Sequence, residues 1–278
     1  MPYAERGAHR IHYEVQGPEE APPLLLIMGM SFSSRAWEPL PVRLAQDFRV
    51  VLFDNRGTGR SSLHRRPYRI RHLAEDAAAV LDAAGLERAH VFGISMGGMV
   101  ALELALRHAE RVRSLALGAT CAGWLRSRKM APRTMGTMFA ASLLGRRAEM
   151  LPPLFVSAEH LARDPEGFAR WHAGVERSGS LTSLLQTLAI ALHSTEKRLS
   201  RLEVPALVLT GDRDLLIPPE NSRRLARLLR AELVELPGAG HCFPVERPDE
   251  TVAALHRHIL GSDRGSAGGP SPVTLPPQ

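Results

Sequence analysis

The sequence contains only two cysteines, Cys121 and Cys242, among 278 residues. Two thiols are too few for the disulfide framework of a secreted domain, and they fit a reducing cytoplasm. The chain also lacks any run of 18 apolar residues, which a membrane-spanning helix would need. The first ten residues are polar and lack the apolar core of a signal peptide. These absences predict a cytoplasmic protein without a membrane partner.

Lysine is nearly absent as well, although the chain is basic. Of the 35 basic residues only Lys129 and Lys197 are lysines, and the net charge is +6. The arginines are dispersed among acidic residues and alanines, and no basic stripe with interleaved aromatic residues occurs. This pattern is typical of solvated surfaces, so we expect no nucleic-acid partner.

What the chain does have is an alternation of strand-like and helical patterns. A half-exposed edge strand is predicted from Arg10 to Val15. Apolar runs typical of buried parallel strands occur at 24–28, 49–53, 90–94, 112–117 and 206–210, and a further strand is predicted at 232–236. Helices are predicted at 35–46, 70–84, from Met96 onward, at 219–230 and at 248–260. The alternation predicts an α/β fold with a mostly parallel central sheet flanked by helices.

Residues 122–200 interrupt this alternation with a helical pattern and no strand-like run. The interruption follows a strand, at the carboxyl edge of the sheet where open α/β folds bind ligands. We therefore predict a core made of residues 1–121 and 201–261 and a helical lid made of residues 122–200. Residues 262–278 are rich in Gly, Pro and Ser and predict a disordered tail.

The most informative stretch is Gly93-Ile94-Ser95-Met96-Gly97, a G-x-S-x-G pattern between a strand and a helix. A serine on such a sharp turn has strained backbone and needs small neighbours two residues to either side. Its hydroxyl is lifted clear of the sheet, next to the N–H groups that begin the helix. The pattern predicts Ser95 as a nucleophile beside a site for a developing oxyanion.

A nucleophilic serine needs a base to take its proton and an acid to orient that base. In this topology the chain order is serine, acid, histidine. Asp212 and Asp214 follow the strand that ends at Thr210, and His241 follows a Gly-Ala-Gly turn after the strand that ends at Leu236. Both loops lie at the same predicted sheet edge as Ser95. His256 and His258 lie on the last predicted helix and fit surface positions, and Cys242 has no separate base of its own.

An oxyanion hole needs two backbone donors. The Met96 N–H directly after the nucleophile is one candidate, and the Met30 N–H in the loop after residues 24–28 is the other. Flexible apolar side chains near the turn and in the predicted lid suggest an adaptable pocket, with plain core packing as the alternative. The candidate pocket residues are Met28, Met130, Met135, Met138 and Phe139.

Over residues 10–261 these motifs resemble the α/β-hydrolase superfamily, in the branch of enol-lactonases, methylesterases and carboxylesterases. The matching pieces are Met28-Gly29-Met30 with Trp37, the loop from Asp54 to Ser61, Gly93 to Met99, Gly211 to Pro218, and Gly238 to His241. The resemblance implies that Asp214 is the acid of the triad and that the loop from Asp54 to Ser61 is structural. Many relatives have His-Gly where this chain has Met28-Gly29.

The sequence therefore predicts a cofactor-free serine hydrolase without a metal, which cleaves a small, apolar carboxylic ester or lactone through an acyl-enzyme. The same triad could serve a C–C bond hydrolase, an aminopeptidase, a perhydrolase or an acyltransferase. A non-catalytic ligand receptor on this fold is the rival outside the enzymes.

Overall fold

A computed structural model describes residues 2–143, 150–175 and 178–267. Eight strands form one sheet in the order β1-β2-β4-β3-β5-β6-β7-β8. They are β1 (Tyr3–Arg6), β2 (His9–Gln16), β3 (Pro23–Ile27), β4 (Arg49–Phe53), β5 (Ala89–Ile94), β6 (Val112–Gly118), β7 (Ala206–Gly211) and β8 (Glu232–Leu236). The pairs from β4 to β8 are parallel, and the pairs β1–β2 and β2–β4 are antiparallel. The predicted α/β class with a mostly parallel sheet is confirmed.

The described α-helices are α1 (Leu40–Leu44), α2 (Ile70–Ala83), α3 (Met96–Arg107), α4 (Pro132–Leu143), α5 (Pro152–Phe155), α6 (Ala158–Arg163), α7 (Pro165–Gly174), α8 (Ser180–Ala191), α9 (Pro219–Leu229), α10 (Phe243–Glu246) and α11 (Pro248–Ala267). Short 3₁₀ turns cover Ser34–Trp37, Ala109–Arg111 and Glu196–Arg201. None of the helices in the described ranges is long and apolar enough to cross a membrane.

The core lies on both faces of the sheet because successive side chains of a strand point to opposite sides. In β3, Leu25 and Ile27 pack with α2 and α3 on one face, and Leu24 and Leu26 pack with α1 and α11 on the other. All four of these side chains are at most 1% exposed. Burial on both faces explains why β3 is a continuous apolar run rather than an alternating one.

Two predictions near the N-terminus need correction. The strand predicted at the sheet edge is β2, but β1 pairs with it and forms the edge instead. β1 has only four residues, too few to show a clear alternation. The helix predicted at 35–46 is a 3₁₀ turn followed by the five-residue α1. Pro39 and Pro41 explain the break, since proline cannot donate a hydrogen bond inside a helix.

Between β6 and β7 every described secondary-structure element is a helix or a turn, as the sequence predicts for residues 122–200. We call this segment the insertion. Its two ends meet in an antiparallel bridge between Gly123 and Ser194. Arg198 forms a bidentate ion pair with Glu103 of α3, with N–O distances of 2.5 and 3.1 Å. The insertion is thereby closed at its base and fastened to the helix that follows Ser95.

The last helix is longer than the sequence predicts. It runs to Ala267 rather than Leu260, so the first residues of the expected disordered tail are helical. Asp263 explains the extension, because its carboxylate lies 3.2 Å from Nε2 of His90 on β5 and 3.9 Å from the Arg113 guanidinium on β6. Residues 268–278 of the predicted tail lie outside the described residues.

Candidate active site

Ser95 lies between β5 and α3, and the predicted strand–turn–helix is confirmed. Its φ of 57° and ψ of −121° form a conformation that non-glycine residues rarely adopt. A Cβ atom at Gly93 would overlap the Gly97 carbonyl, and one at Gly97 would overlap the Ile27 carbonyl. The Ser95 N–H donates to the Gly118 carbonyl at 2.8 Å. The two glycines therefore permit the turn, and the half-buried serine keeps access to solvent.

The structure brings Asp214 and His241 together. His241 Nδ1 lies 2.8 Å from Asp214 Oδ2, and both residues are buried. Asp214 Oδ1 accepts hydrogen bonds from the N–H groups of Leu216 and Ile217 at 2.8 and 2.9 Å. This carboxylate is fixed on one side by the backbone and presents its other oxygen to the imidazole.

Asp212 is the second candidate acid that the sequence places on this loop, and its contacts differ from those of Asp214. It is exposed, and its Oδ1 accepts the Gly238 N–H at 2.7 Å. It braces the turn that leads to His241 but does not pair with the imidazole. The structure thus separates the two aspartates by partner and by burial.

Close backbone packing holds the acid and histidine loops at the carboxyl edge of the sheet. A Cβ atom at Gly211 would overlap the carbonyls of Ala239 and Gly240, and the Arg213 N–H donates to the Ala239 carbonyl at 2.9 Å. Phe243 lies against Gly118, whose carbonyl accepts the Ser95 N–H. Both loops therefore lie at the same sheet edge as Ser95.

Residues 28–32, which we call the oxyanion loop, lie directly against the serine. A Cβ atom at Gly29 would be 3.2 Å from Ser95 Cβ and 3.7 Å from Ser95 Oγ. The Met28 carbonyl accepts a hydrogen bond from Asn55 Nδ2 at 3.0 Å. Met96, the first residue of α3, directly follows Ser95 and is fully buried. Met96 thus follows the serine in the chain, and Met30 follows Gly29, which lies against the serine. Their role as oxyanion donors stays a prediction.

The loop from Asp54 to Ser61 has the structural contacts that the resemblance implies. Asp54 is fully buried, and its carboxylate accepts the N–H groups of Ser34 and Arg60 at 2.7 and 3.0 Å. Arg56 forms an ion pair with Asp76 of α2 at 2.5 Å. These bonds connect the loop from Asp54 to Ser61 with Ser34, two residues after the oxyanion loop, and with α2.

The predicted pocket residues have different surroundings. Met28 is buried, Met130 and Met138 are half-buried, and Met135 is 54% exposed. The Phe139 side chain lies outside the described residues. Their part in a substrate pocket stays a prediction.

Two residues at this site have no sequence signal, because their partners are remote in the chain. Glu246 is buried and accepts the Gly240 N–H at 2.7 Å, while its other oxygen accepts the N–H and hydroxyl of Ser157 at 3.0 and 2.6 Å. Gln186 of α8 accepts the Ser31 N–H at 2.7 Å. Each joins the insertion to one loop of the site. Only the folded chain reveals them.

The neighbouring thiol is poorly suited to nucleophilic chemistry. Burial, together with the carboxylates of Glu246 and Asp214, raises the pKa of Cys242 far above its usual range. Within the described residues, no group of three or more His, Cys, Asp or Glu side chains has the arrangement of a metal site. The polar groups at this edge suit acyl chemistry: a serine at a helix start, a buried His–Asp pair, and backbone donors.

Comparisons with known proteins find similarity over most of the chain. The chain is 34% identical over 258 residues to a putative carbamate hydrolase RutD of Azorhizobium caulinodans, covering 90% of this chain and 94% of the relative. It is 31% identical to a poly(3-hydroxyalkanoate) depolymerase of Ectopseudomonas oleovorans, over 90% and 88% of the two chains. The enol-lactonase from Burkholderia xenovorans LB400 superposes with a TM-score of 0.81 at 28% identity, over 93% of this chain and 100% of that one.

The family match covers most of the core. The sequence profile of the alpha/beta hydrolase fold family matches residues 22–248, from the start of the parallel sheet to the beginning of α11. That range includes the Ser95 turn, the acid loop and the histidine loop. The resemblance seen in the sequence motifs is confirmed: this chain belongs to the alpha/beta hydrolase family and is a hydrolase.

Proposed function

We propose that the protein cleaves a small carboxylic ester or lactone through an acyl-enzyme, with Ser95, His241 and Asp214 as its triad. The observation that carries the proposal is the 2.8 Å contact between His241 Nδ1 and Asp214 Oδ2. This buried pair lies at the sheet edge where Ser95 occupies its strained turn. A nucleophile, a base and an orienting acid in that chain order are the parts that acyl transfer requires.

In this mechanism Ser95 Oγ attacks the substrate carbonyl, and its proton goes to His241 Nε2, the nitrogen that does not face Asp214. The N–H groups of Met30 and Met96 hold the oxyanion. His241 then gives the proton to the leaving oxygen, and the acyl group stays on Ser95. A water molecule, deprotonated by His241, releases the acid and regenerates the serine. No cofactor enters this sequence of steps.

The insertion serves as the lid in this proposal. It contacts the oxyanion loop through Gln186 and the histidine loop through Ser157 and Phe155. The Cys242 N–H donates to the Phe155 carbonyl at 2.7 Å. Contact with both loops supports a segment that covers Ser95 and lines the acyl or alcohol pocket with Met28, Met130, Met135, Met138 and Phe139.

A carbamate is the second candidate substrate. The observation in its favour is the 34% identity, over most of both chains, to a protein named a putative carbamate hydrolase. Ser95 would attack a carbamate carbonyl in the same way, and the resulting oxyanion would bind the same two N–H groups. The C–C bond, peptide, peracid and acyl-transfer reactions also fit the triad, and the receptor alternative needs no reaction at all.

A fluorophosphonate probe followed by a substrate panel tests the proposal. We expect the probe to label Ser95, and Ser95→Ala to abolish the labelling. Turnover of p-nitrophenyl esters of graded chain length, of lactones and of carbamates then assigns the substrate class. Tight binding of these compounds without labelling or turnover would contradict the enzyme and support a receptor.

A further inference from the structure

Ser31, in the oxyanion loop, has an unusual backbone conformation. Its φ of 68° is in the left-handed region, where the Cβ atom of a non-glycine residue strains the backbone. Such a conformation persists only where surrounding contacts determine it. Ser31 directly follows Met30, whose N–H is proposed to bind the oxyanion, so whatever fixes Ser31 also restricts Met30.

The contacts that fix Ser31 come from the insertion, about 150 residues further along the chain. The Ser31 N–H donates to Gln186 Oε1 at 2.7 Å, and its Oγ lies 2.9 Å from Ser183 Oγ. The Ser31 carbonyl accepts the Ser178 N–H at 2.8 Å. Gln186 is fully buried, so its hydrogen bond is shielded from water.

The other end of the loop is held by the core. Asn55 binds the Met28 carbonyl, and Gly29 lies against Ser95 Cβ. The Met30 peptide therefore lies between contacts with Asn55 and Ser95 on one side and a contact with α8 on the other. Gln186 also occupies the Ser31 N–H, so this amide is engaged with α8 rather than with an oxyanion.

We propose that Gln186 is a positioning residue for the oxyanion hole, acting through the Ser31 N–H. This inference rests on the proposed serine-hydrolase function. The charge on the carbonyl oxygen develops only in the transition state, so the contribution of Gln186 belongs in kcat rather than in substrate binding. α8 thereby contributes to the rate as well as to the covering of the site.

The central variant is Gln186→Met, which keeps length and volume but removes the acceptor. Loss of an entire oxyanion donor costs about 10²–10³ in kcat, and displacement of one costs less. We expect kcat on a p-nitrophenyl ester to fall by about 10- to 100-fold, with KM changed less than about threefold. Gln186→Glu should retain most of kcat, because a carboxyl oxygen at the same position can still accept the Ser31 N–H.

Thr182→Val is the matched control. Thr182 lies one turn earlier on α8, is 2% exposed and packs against Gly57, and its hydroxyl has no hydrogen-bond partner among the described residues. This change is expected to leave kcat unaltered. If it lowers kcat as much as Gln186→Met does, the effect is general to α8 and the proposal is wrong.

A trifluoromethyl ketone gives a readout that packing alone would not move. Ser95 Oγ bonds to its carbonyl carbon, the C=O pair becomes an oxyanion, and the serine proton passes to His241. Its inhibition constant should rise in Gln186→Met by the same factor as kcat falls. The constant for the matching methyl ketone, bound without this adduct, should not change. An equal rise for both ketones would contradict the proposal.

Three further outcomes are decisive. If Gln186→Met does not fold, Ser183→Ala removes the neighbouring contact, and kcat should fall about two- to fivefold; unchanged kcat there overturns the inference. If the wild-type protein neither turns over the substrate panel nor labels at Ser95, the proposed function and this inference both fall. An active wild type with full activity in folded Gln186→Met overturns the inference alone.

Discussion

Two groups of serine, histidine and aspartate lie at the two ends of β5. At its carboxyl end is Ser95, with His241 and Asp214 at the same edge. At its amino end is His90, whose Nδ1 lies 2.8 Å from Ser114 Oγ and whose Nε2 lies 3.2 Å from Asp263 Oδ1. By residue type alone, the second group also resembles a triad.

Backbone and burial separate the two groups. Ser95 occupies a strained turn before a helix and is half-buried, whereas Ser114 lies within β6 and is 1% exposed. Burial lowers the pKa of His90 to about 4, which makes it a poor base at neutral pH. A serine, a histidine and an aspartate in contact make a catalytic group only where the substrate and an oxyanion can also fit. The amino-end group attaches α11 to the sheet through Asp263.

Replacement of the two serines should give the largest difference in kcat between the two groups. Ser95→Ala should fold normally and lose about 10⁴-fold or more in kcat, because the nucleophile is gone. Ser114→Ala should keep kcat within about twofold. Steady-state hydrolysis of one p-nitrophenyl ester by both variants measures the contrast. Near-full activity of Ser95→Ala would end the serine-hydrolase interpretation.

The aspartates should show the next largest difference. Asp214→Asn should lower kcat by about 10²–10⁴-fold, because an amide can no longer hold His241 in the tautomer that accepts the serine proton. Asp263→Asn at the other edge should leave kcat unchanged. Asp212→Asn, which disturbs only the bond to Gly238, should be much milder than Asp214→Asn. The reverse order of Asp212 and Asp214 would move the orienting role to Asp212.

The smallest effect concerns stability rather than rate. The folded-state pKa of His90 is below the ordinary value of 6.5, so the unfolded chain binds the proton more tightly. The folded state has its full stability with respect to this proton above pH 6.5, and that stability is lost as the pH falls towards 4. Between pH 7 and pH 5 this residue should reduce the free energy of unfolding by roughly 2 kcal/mol. Urea denaturation of the wild type and of His90→Gln at both pH values measures it; an equal loss in both proteins would contradict the assignment.

The sequence was sufficient for the elements whose signal is local. The strand before Ser95 is a continuous apolar run, its turn needs Gly93 and Gly97, and the order of serine, acid and histidine follows the topology. Those features place the candidate nucleophile and base without any contact information. The choice between Asp212 and Asp214 needed either the family resemblance or the structure, since both aspartates lie on one loop.

What the sequence could not provide depends on contacts between distant segments. Gln186 meets Ser31 across 155 positions and Glu246 meets Ser157 across 89, and neither pair has a spacing rule. The helical extension to Ala267 depends on Asp263 reaching β5 and β6. A composition rich in Gly and Ser predicts disorder locally, but the tertiary contacts of Asp263 with His90 and Arg113 outweigh that preference.

The buried carboxylate of Glu246 has a consequence for turnover. One of its oxygens supports the backbone just before His241, and the other holds the insertion at Ser157. If the insertion swung away as a rigid cover, it would either break the bonds to Ser157, leaving a buried charge short of partners, or pull the histidine loop with it. In the proposed mechanism, movement of the insertion is therefore coupled to the placement of His241. An insertion that moved far from the sheet would displace the proposed base, and we would then expect Ser95 to react slowly with substrate and water alike.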